Sequence, residues 1–247
     1  MSTVEMPIKA LPFEPDARVT ILTGAGASAD SGVPTFRDPG GLWRRIDPNT
    51  IATARGFFAD PVRGWALYHE LRTHVRACEP NAAHHAISAF QAEHRGVVRL
   101  ITQNVDGLHL RAGARELIEI HGNLFHTRCG DETCDLAPFF DERPEAATDH
   151  RCPSCGGVLR PDVVWFGEPN DLELEREVSE ALASCDWYLA IGTSGTVYPA
   201  ALYARFAKKN GAQTVIVNLE LPENAGDFDL HYTGRAAEVV PILLGRP

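Results

Sequence analysis

Four cysteines, Cys129, Cys134, Cys152 and Cys155, carry the clearest chemistry in this chain. Four residues separate the first two, two separate the last two, and seventeen lie between the pairs. Two cysteine knuckles at that separation suit tetrahedral Zn²⁺, and four thiolates leave no position for a reacting water. The predicted role is structural: one zinc ion per chain, holding an insert with little apolar mass. The other two of the six cysteines, Cys78 and Cys185, sit in helix-like contexts and are expected to be buried thiols.

The second chemical feature is the stretch RVTILTGAGASADSGVPTFR, residues 18–37. An apolar, β-branched run leads into Gly24-Ala25-Gly26 and then Ser28, a glycine turn placed after a strand and before a helix start. Such a turn brings backbone N–H groups close to a diphosphate. It is equally the form of an ordinary strand-to-helix turn. A hydride-transfer unit would continue into a helix, a second strand and an acid about 20 residues on. Here proline and glycine break the continuation, and no strand precedes Asp47. The pattern is a nucleotide-binding turn followed by a long loop.

Polar residues gather where further strands should end. Gln103, Asn104 and Asp106 follow one such run, and their donors and acceptors suit ribose hydroxyls and a carboxamide. A local Asn/Asp/Gly turn explains them as well. His121 follows another run; imidazole takes a proton near neutral pH unaided, although most of ten histidines must be structural. Gly192, Thr193 and Ser194 form a second phosphate-compatible loop, and Asn218 and Glu220 stand where an adenosine ribose would bind. The extended segment Val163, Val164, Trp165 and Phe166 reads either as a surface for an added peptide strand or as a core strand.

The elements that must position these residues alternate. Strands are predicted at 18–22, 97–102, 117–120, 187–191 and 214–217, with helices from Pro61, over 82–91, and near 173–183 and 199–209. Residues 1–17 read as a loose arm and 40–60 as an irregular packed lobe. This is an α/β fold: a Rossmann-like parallel sheet with helices on both faces, plus a small zinc-binding domain. Residues 18–40, 81–124 and 161–243 are assigned to the nucleotide-binding domain, and 41–80 and 125–160 to the small one. A formal charge of −10 argues against nucleic-acid or anionic-membrane partners. The opening residues lack a signal-peptide pattern and no apolar run approaches a bilayer span, so a soluble cytoplasmic protein is expected.

Taken together, GAGASADSGVPTFR (24–37), TQNVDGLH (102–109), His121-Gly122, the cysteine pairs, PDVVWFGE (161–168), GTSGTVYP (192–199) and VNLE (217–220) resemble the sirtuins, NAD-dependent protein deacylases. The resemblance implies NAD consumed as co-substrate in a cleft between the two domains. The acyl-lysine oxygen attacks the nicotinamide ribose, nicotinamide leaves, and free lysine and O-acyl-ADP-ribose result. It implies that His121 is the general base and that Asn104, Asp106 and Gln103 hold ribose and carboxamide. Gly24, Ala25, Gly26, Ser28, Phe36 and Arg37 would line the nicotinamide and diphosphate side. Gly192, Thr193, Ser194, Asn218, Glu220 and Ala236 would hold the adenosine end, and Val163 to Phe166 the substrate peptide backbone. Acyl-lysine proteins or peptides are the implied partners.

The segment 40–72 looks like the branch that removes succinyl and malonyl groups, with Ala52 and Tyr68 in its acyl pocket. That branch carries arginine three positions after the tyrosine; here Leu71 stands there and Arg72 comes one place late. One residue is about 100° of helix rotation, so Arg72 does not substitute, and uncharged acyl groups such as acetyl are expected to be favoured. Two rival readings are mono-ADP-ribosyl transfer by the same NAD cleavage and an NAD-sensing zinc protein without turnover.

Overall fold

The structure, a computed structural model, describes residues 8–34, 52–141, 143 and 150–246. Phe36 and Arg37 lie outside these residues. A six-stranded sheet is built from β1 (Val19–Thr23), β2 (Val98–Thr102), β3 (Leu117–Glu119), β7 (Trp187–Ile191), β8 (Gln213–Asn218) and β9 (Leu230–Thr233). Its order is β3-β2-β1-β7-β8-β9, and every neighbouring pair runs parallel. The chain therefore leaves β1 in one direction and returns on its other side at β7. In open α/β sheets ligands bind outside the carboxyl ends of the strands at such a reversal.

Alternation along the strands feeds two cores. Val19 and Ile21 of β1 pack with Ile87 and Phe90 of helix α4 (Ala82–Glu93) and with Val239 and Leu243 of α8 (Ala236–Leu243). Leu22 faces the opposite way, toward Val178 and Leu182 of α6 (Leu172–Ser184) and Ala204 of α7 (Tyr203–Lys209). Helices thus cover both faces, as the alternating pattern predicts.

Two terminal regions differ from the sequence reading. The segment before β1 is not loose where it is described: Leu11 donates its N–H to Leu243 O at 2.9 Å, and Phe13 packs against Phe90 and Trp187. β9 and α8 were not predicted. β9 is a four-residue edge strand, and Pro241 inside α8 reads as a helix breaker in isolation. Packing of Val239, Val240 and Leu243 into the first core compensates.

A second sheet of β4 (Gly122–Cys129), β5 (Phe139–Phe140) and β6 (Leu159–Val163) is antiparallel, in the order β5-β4-β6. It shares a third core with α2 (Ala54–Ala59), a helix within the region read as irregular, and with α3 (Pro61–Ala77). Asp60 caps α3 by accepting from Arg63 N at 3.1 Å, with Pro61 at the first helical position. Trp65, Tyr68, Leu71 and Val75, one helical stripe, meet Phe57, Leu124, Leu159 and Trp165. The cysteine insert therefore has no core of its own and shares one with a helix far away in sequence.

Arg72 fastens this helix to the small sheet. Its buried guanidinium donates to Leu124 O (2.7 Å), His126 O (3.0 Å) and Thr127 Oγ1 (3.0 Å), and pairs with Asp141 at 3.3 Å. Removing one member of a buried ionic network leaves desolvated acceptors behind. Arg72→Met is expected to lower the unfolding free energy by about 3–5 kcal/mol, read as a shift of the urea midpoint. A loss below about 1 kcal/mol, the worth of a surface pair, would show that the network is not what holds the helix.

Candidate active site

The carboxyl ends of β1, β2 and β7 meet at the reversal point, and their loops touch through backbone. Gly24 N donates to Ile191 O (3.0 Å), Gly26 N to Gly192 O (2.9 Å), and Gln103 N to Thr23 O (2.9 Å). A Cβ on Gly26 would lie 2.7 Å from Gly192 Cα, so this approach needs glycine. Gly192, at φ +64°, also needs it for its own backbone. The turn continues as the single helical turn α1 (Ala25–Ser28), with Ala25 half-buried.

Beneath the turn lies a buried polar layer. Ser28 Oγ donates to Asp106 Oδ2 at 2.7 Å, and Asp106 Oδ1 accepts from Leu108 N at 2.9 Å. Asn104 Nδ2 donates to Gly24 O and to Ser28 Oγ, each at 3.1 Å. Because Gly24 O only accepts, the orientation of the Asn104 amide is settled. Burial pushes the Asp106 carboxyl up, against the hydrogen bonds from Leu108 and Ser28.

His121 follows β3 and stands half-buried beside this layer. Its Nδ1 lies 3.1 Å from Gln103 O. A carbonyl only accepts, so Nδ1 carries the proton and Nε2 is left as the basic nitrogen. Burial lowers the imidazole pKa, and the Gln103 carbonyl partly offsets it. The ring is therefore neutral at pH 7, as a proton acceptor must be. Glu119, two residues earlier, accepts from Asn123 Nδ2 at 2.8 Å. Burial, opposed by that bond and reinforced by Asp106 and Asp162, pushes Glu119 up to about 7.

The remaining predicted residues fall into two groups. Thr193 is buried and Ser194 half-buried above the turn, while Asn218 donates to Thr193 O at 2.8 Å and accepts from Leu219 N at 3.0 Å. Asn218 thus ties the β7 loop to the β8 loop, and Glu220 is exposed beyond it. Ala236 is buried in the first core at the start of α8; its neighbour Arg235 donates to Asp30 at 2.7 Å, next to the glycine turn.

The residues predicted for the acyl side assemble across the small core. Val164 N donates to His121 O (2.9 Å) and Phe166 N to Ala52 O (2.8 Å). Trp165 Nε1 donates to Tyr68 Oη at 2.7 Å, and Leu71 and Val163 are buried in the same cluster. Burial pushes the Tyr68 phenol up to about 12. Sequence reading missed Thr23, Thr102, His84, His109, Glu119 and Asn123. All are polar and at least half-buried at this edge, a juxtaposition no local pattern announces.

Cys129, Cys134, Cys152 and Cys155 converge, with all four Sγ atoms within 4.8 Å of one another. A tetrahedral zinc with Zn–S near 2.3 Å places sulfurs about 3.8 Å apart, and the Cys129–Cys155 and Cys134–Cys152 distances are 3.5 and 3.6 Å. Asp131 N and Gly157 N each lie 3.4 Å from a sulfur, a geometry that suits thiolates. The residues fit a closed structural zinc site.

A glycine turn at the reversal of a parallel sheet, together with a closed four-cysteine module on a second sheet, defines a nucleotide-binding α/β protein with a structural metal site. The family model for the Sir2 family matches residues 24–199, and the chain belongs to that family. NAD-dependent protein deacylase 2 of Pyrobaculum aerophilum is 45% identical over 225 residues, 91% of this chain and 88% of that protein. A solved mutant Sir2 homologue in complex with ADP-ribose has a TM-score of 0.86 at 35% identity, covering 94% of this chain and 92% of that one. A Sir2–p53 peptide–NAD⁺ complex has a TM-score of 0.79 at 28% identity, covering 90% of each chain.

Metal removal tests the cysteine site. Elemental analysis of the purified protein is expected to give one zinc per chain, and Cys152→Ser to lose it with a lowered melting temperature. A full zinc content in that variant would show that the four thiolates are not the ligand set.

Proposed function

We propose that this chain is an NAD-dependent protein deacylase that takes acyl groups, acetyl favoured, from lysine side chains, yielding nicotinamide, O-acyl-ADP-ribose and free lysine. The observation that carries the reading is the fixed tautomer of His121, whose Nε2 is free to accept a proton at the carboxyl edge of the sheet. NAD, when bound, supplies a ribose carbon from which nicotinamide departs and to which the acyl oxygen bonds. His121 Nε2 takes the proton of a ribose hydroxyl. Asn104 has both amide hydrogens engaged, so its Oδ1 is the atom available to accept from ribose. Gln103 supports the same sugar, and Asp106 receives the carboxamide.

Gly24, Ala25, Gly26 and Ser28 would line the diphosphate and nicotinamide side, together with Phe36 and Arg37. Gly192, Thr193, Ser194, Asn218, Glu220 and Ala236 would serve the adenosine end. Val163 to Phe166 would carry the acyl-lysine peptide. Their N–H groups are partly engaged inside the protein, so the segment meets a peptide as a rigid edge. The proposal divides the chain at 18–40, 81–124 and 161–243 for the NAD domain and 41–80 and 125–160 for the small one. It also places the protein in the cytoplasm, in keeping with six free cysteines. No helix among the described residues is long and apolar enough to cross a membrane.

The acyl preference rests on Leu71. It is buried in the small core, and Arg72 is committed to β4, so neither offers a cation to an acyl carboxylate. A buried carboxylate without such a partner is costly. Leu71→Arg is expected to raise desuccinylation at least about tenfold relative to deacetylation, one bidentate charge pair being worth that much. An unchanged ratio would refute this account of the pocket.

Mass spectrometry of an acyl-lysine peptide panel, with and without NAD, tests the activity itself. His121→Ala is expected to lower kcat by about 10²–10⁴-fold, the usual worth of a general base. ADP-ribosylated protein in place of O-acyl-ADP-ribose would overturn the reaction assigned. The base works as neutral imidazole, so kcat/KM should fall as pH drops through its pKa. Burial sets that pKa below the ordinary 6.5, so the acid limb should lie below 6.5. A limb above that value would mean that another group titrates.

A further inference from the structure

The mechanism leaves one half-buried carboxylate without a role. Glu175 stands in the first turn of α6, and that helix lies against the strand end that leads to His121. Val178 and Leu182 of α6 share a core cluster with Ile118 and Ile120, and Leu174 packs against the same cluster. Leu174 precedes Glu175 and Ile120 precedes His121, so carboxylate and imidazole leave one patch of packing.

Hydrogen bonds hold the carboxylate in place. Asn170 Nδ2 donates to Glu175 Oε1 at 2.6 Å, and the Tyr203 hydroxyl of α7 shares its hydrogen between both carboxylate oxygens, 3.1 Å from each. Burial, reinforced by Glu175, pushes the Tyr203 phenol well up, so it stays a donor. The N–H groups at the start of α6 favour negative charge in the same turn. Asn170 follows the Val163–Phe166 segment, so Glu175 bridges that segment and α7. It is a carboxylate fixed in one position, unlike an ordinary surface acid.

The other carboxyls near His121 are differently placed. Burial pushes Glu119 on β3, Asp106 after β2 and Asp162 on β6 up, toward their neutral forms, and Glu168 is paired with Arg160. At His121 itself, burial lowers the imidazole pKa, while the Gln103 carbonyl and the Glu175 carboxylate raise it. Glu175 is the one charged group among the described residues with that effect.

Resting on the general base proposed above, we infer that Glu175 is a positioning residue for the deacylation: its carboxylate, fixed by Tyr203 and Asn170, is the counter-charge to the imidazolium that His121 becomes. When the base acts, the O–H bond of a ribose hydroxyl breaks and its proton goes to Nε2. Nδ1 keeps its hydrogen against Gln103 O, and the ring gains one positive charge. A partly buried cation needs a nearby anion, and Glu175 supplies one without touching the reacting atoms.

The test uses Glu175→Gln in the full-length, zinc-loaded protein. This variant removes the charge but keeps an acceptor oxygen for Tyr203 and Asn170. The His121 titration midpoint is read by NMR of its ring C–H signals, assigned by their loss in His121→Ala, without substrate. Loss of an anion disfavours the imidazolium, so the midpoint should fall by about 0.3–1 pH unit, the effect of one charge several ångströms away. The acid limb of kcat/KM should move the same way, and plateau kcat should drop by about two- to fivefold because the base is weaker. In the His121→Ala background, Glu175→Gln should change the residual rate by less than about twofold. An unmoved or raised midpoint would overturn the inference, even with a lowered melting temperature, as would independent, multiplying effects on kcat. If Glu175→Gln does not fold, Glu175→Leu decides by the same midpoint. A normal reaction with an unmoved midpoint sinks this inference alone; failure of wild type to form O-acyl-ADP-ribose sinks the proposed reaction, and the inference with it.

Discussion

One backbone contact governs the geometry of this protein: the close approach of Gly26 to Gly192 where the sheet reverses direction. A Cβ on Gly192 would sit 2.3 Å from Ala27 N, so these loops meet only because neither carries a side chain there. The contact brings the amino end of α1 over the ends of β1 and β7, where N–H groups can face a diphosphate. Gln103 N, on β2, is tied to Thr23 O in the same way. The polar layer of Ser28, Asn104 and Asp106 is the floor that this approach leaves.

The small sheet is coupled to that floor through the backbone of His121. His121 O accepts Val164 N, so the imidazole and the strand edge that begins at Val163 belong to one rigid unit. Arg160 stiffens the edge: it grips Glu168 through both terminal nitrogens, at 2.5 and 2.8 Å, and stacks 3.4 Å over Trp165. Trp165 in turn fixes the Tyr68 hydroxyl. The four cysteines converge where β4 ends at Cys129, so a closed metal site there would brace the far end of the same sheet.

Burial sorts the histidines. His84 and His109 are sealed, each within hydrogen-bond reach of a neighbouring hydroxyl, and burial keeps both neutral across the physiological range. His121 is half-buried and keeps a basic nitrogen. The same side chain becomes a fixed neutral partner or keeps a basic nitrogen according to what its ring nitrogens meet.

Much of this was legible in the chain. Apolar β-branched runs can only be buried strands, the helical stripe from Trp65 to Val75 has one solution, and two cysteine knuckles admit few readings. The motifs from Gly24 to Glu220 named the strand ends in order, and the one-place shift from Leu71 to Arg72 is visible against the arginine position that the resemblance implies. Tertiary structure decided the rest. That β1 lies between β2 and β7 depends on crossovers through other elements, and the insert's core depends on α3, whose residues lie some distance away along the chain. The proton positions on His121 and His84 depend on Gln103 O and Asn81 N. Composition and spacing describe which groups a chain owns; a tautomer, like a shared core, is a property of the neighbour it meets after folding.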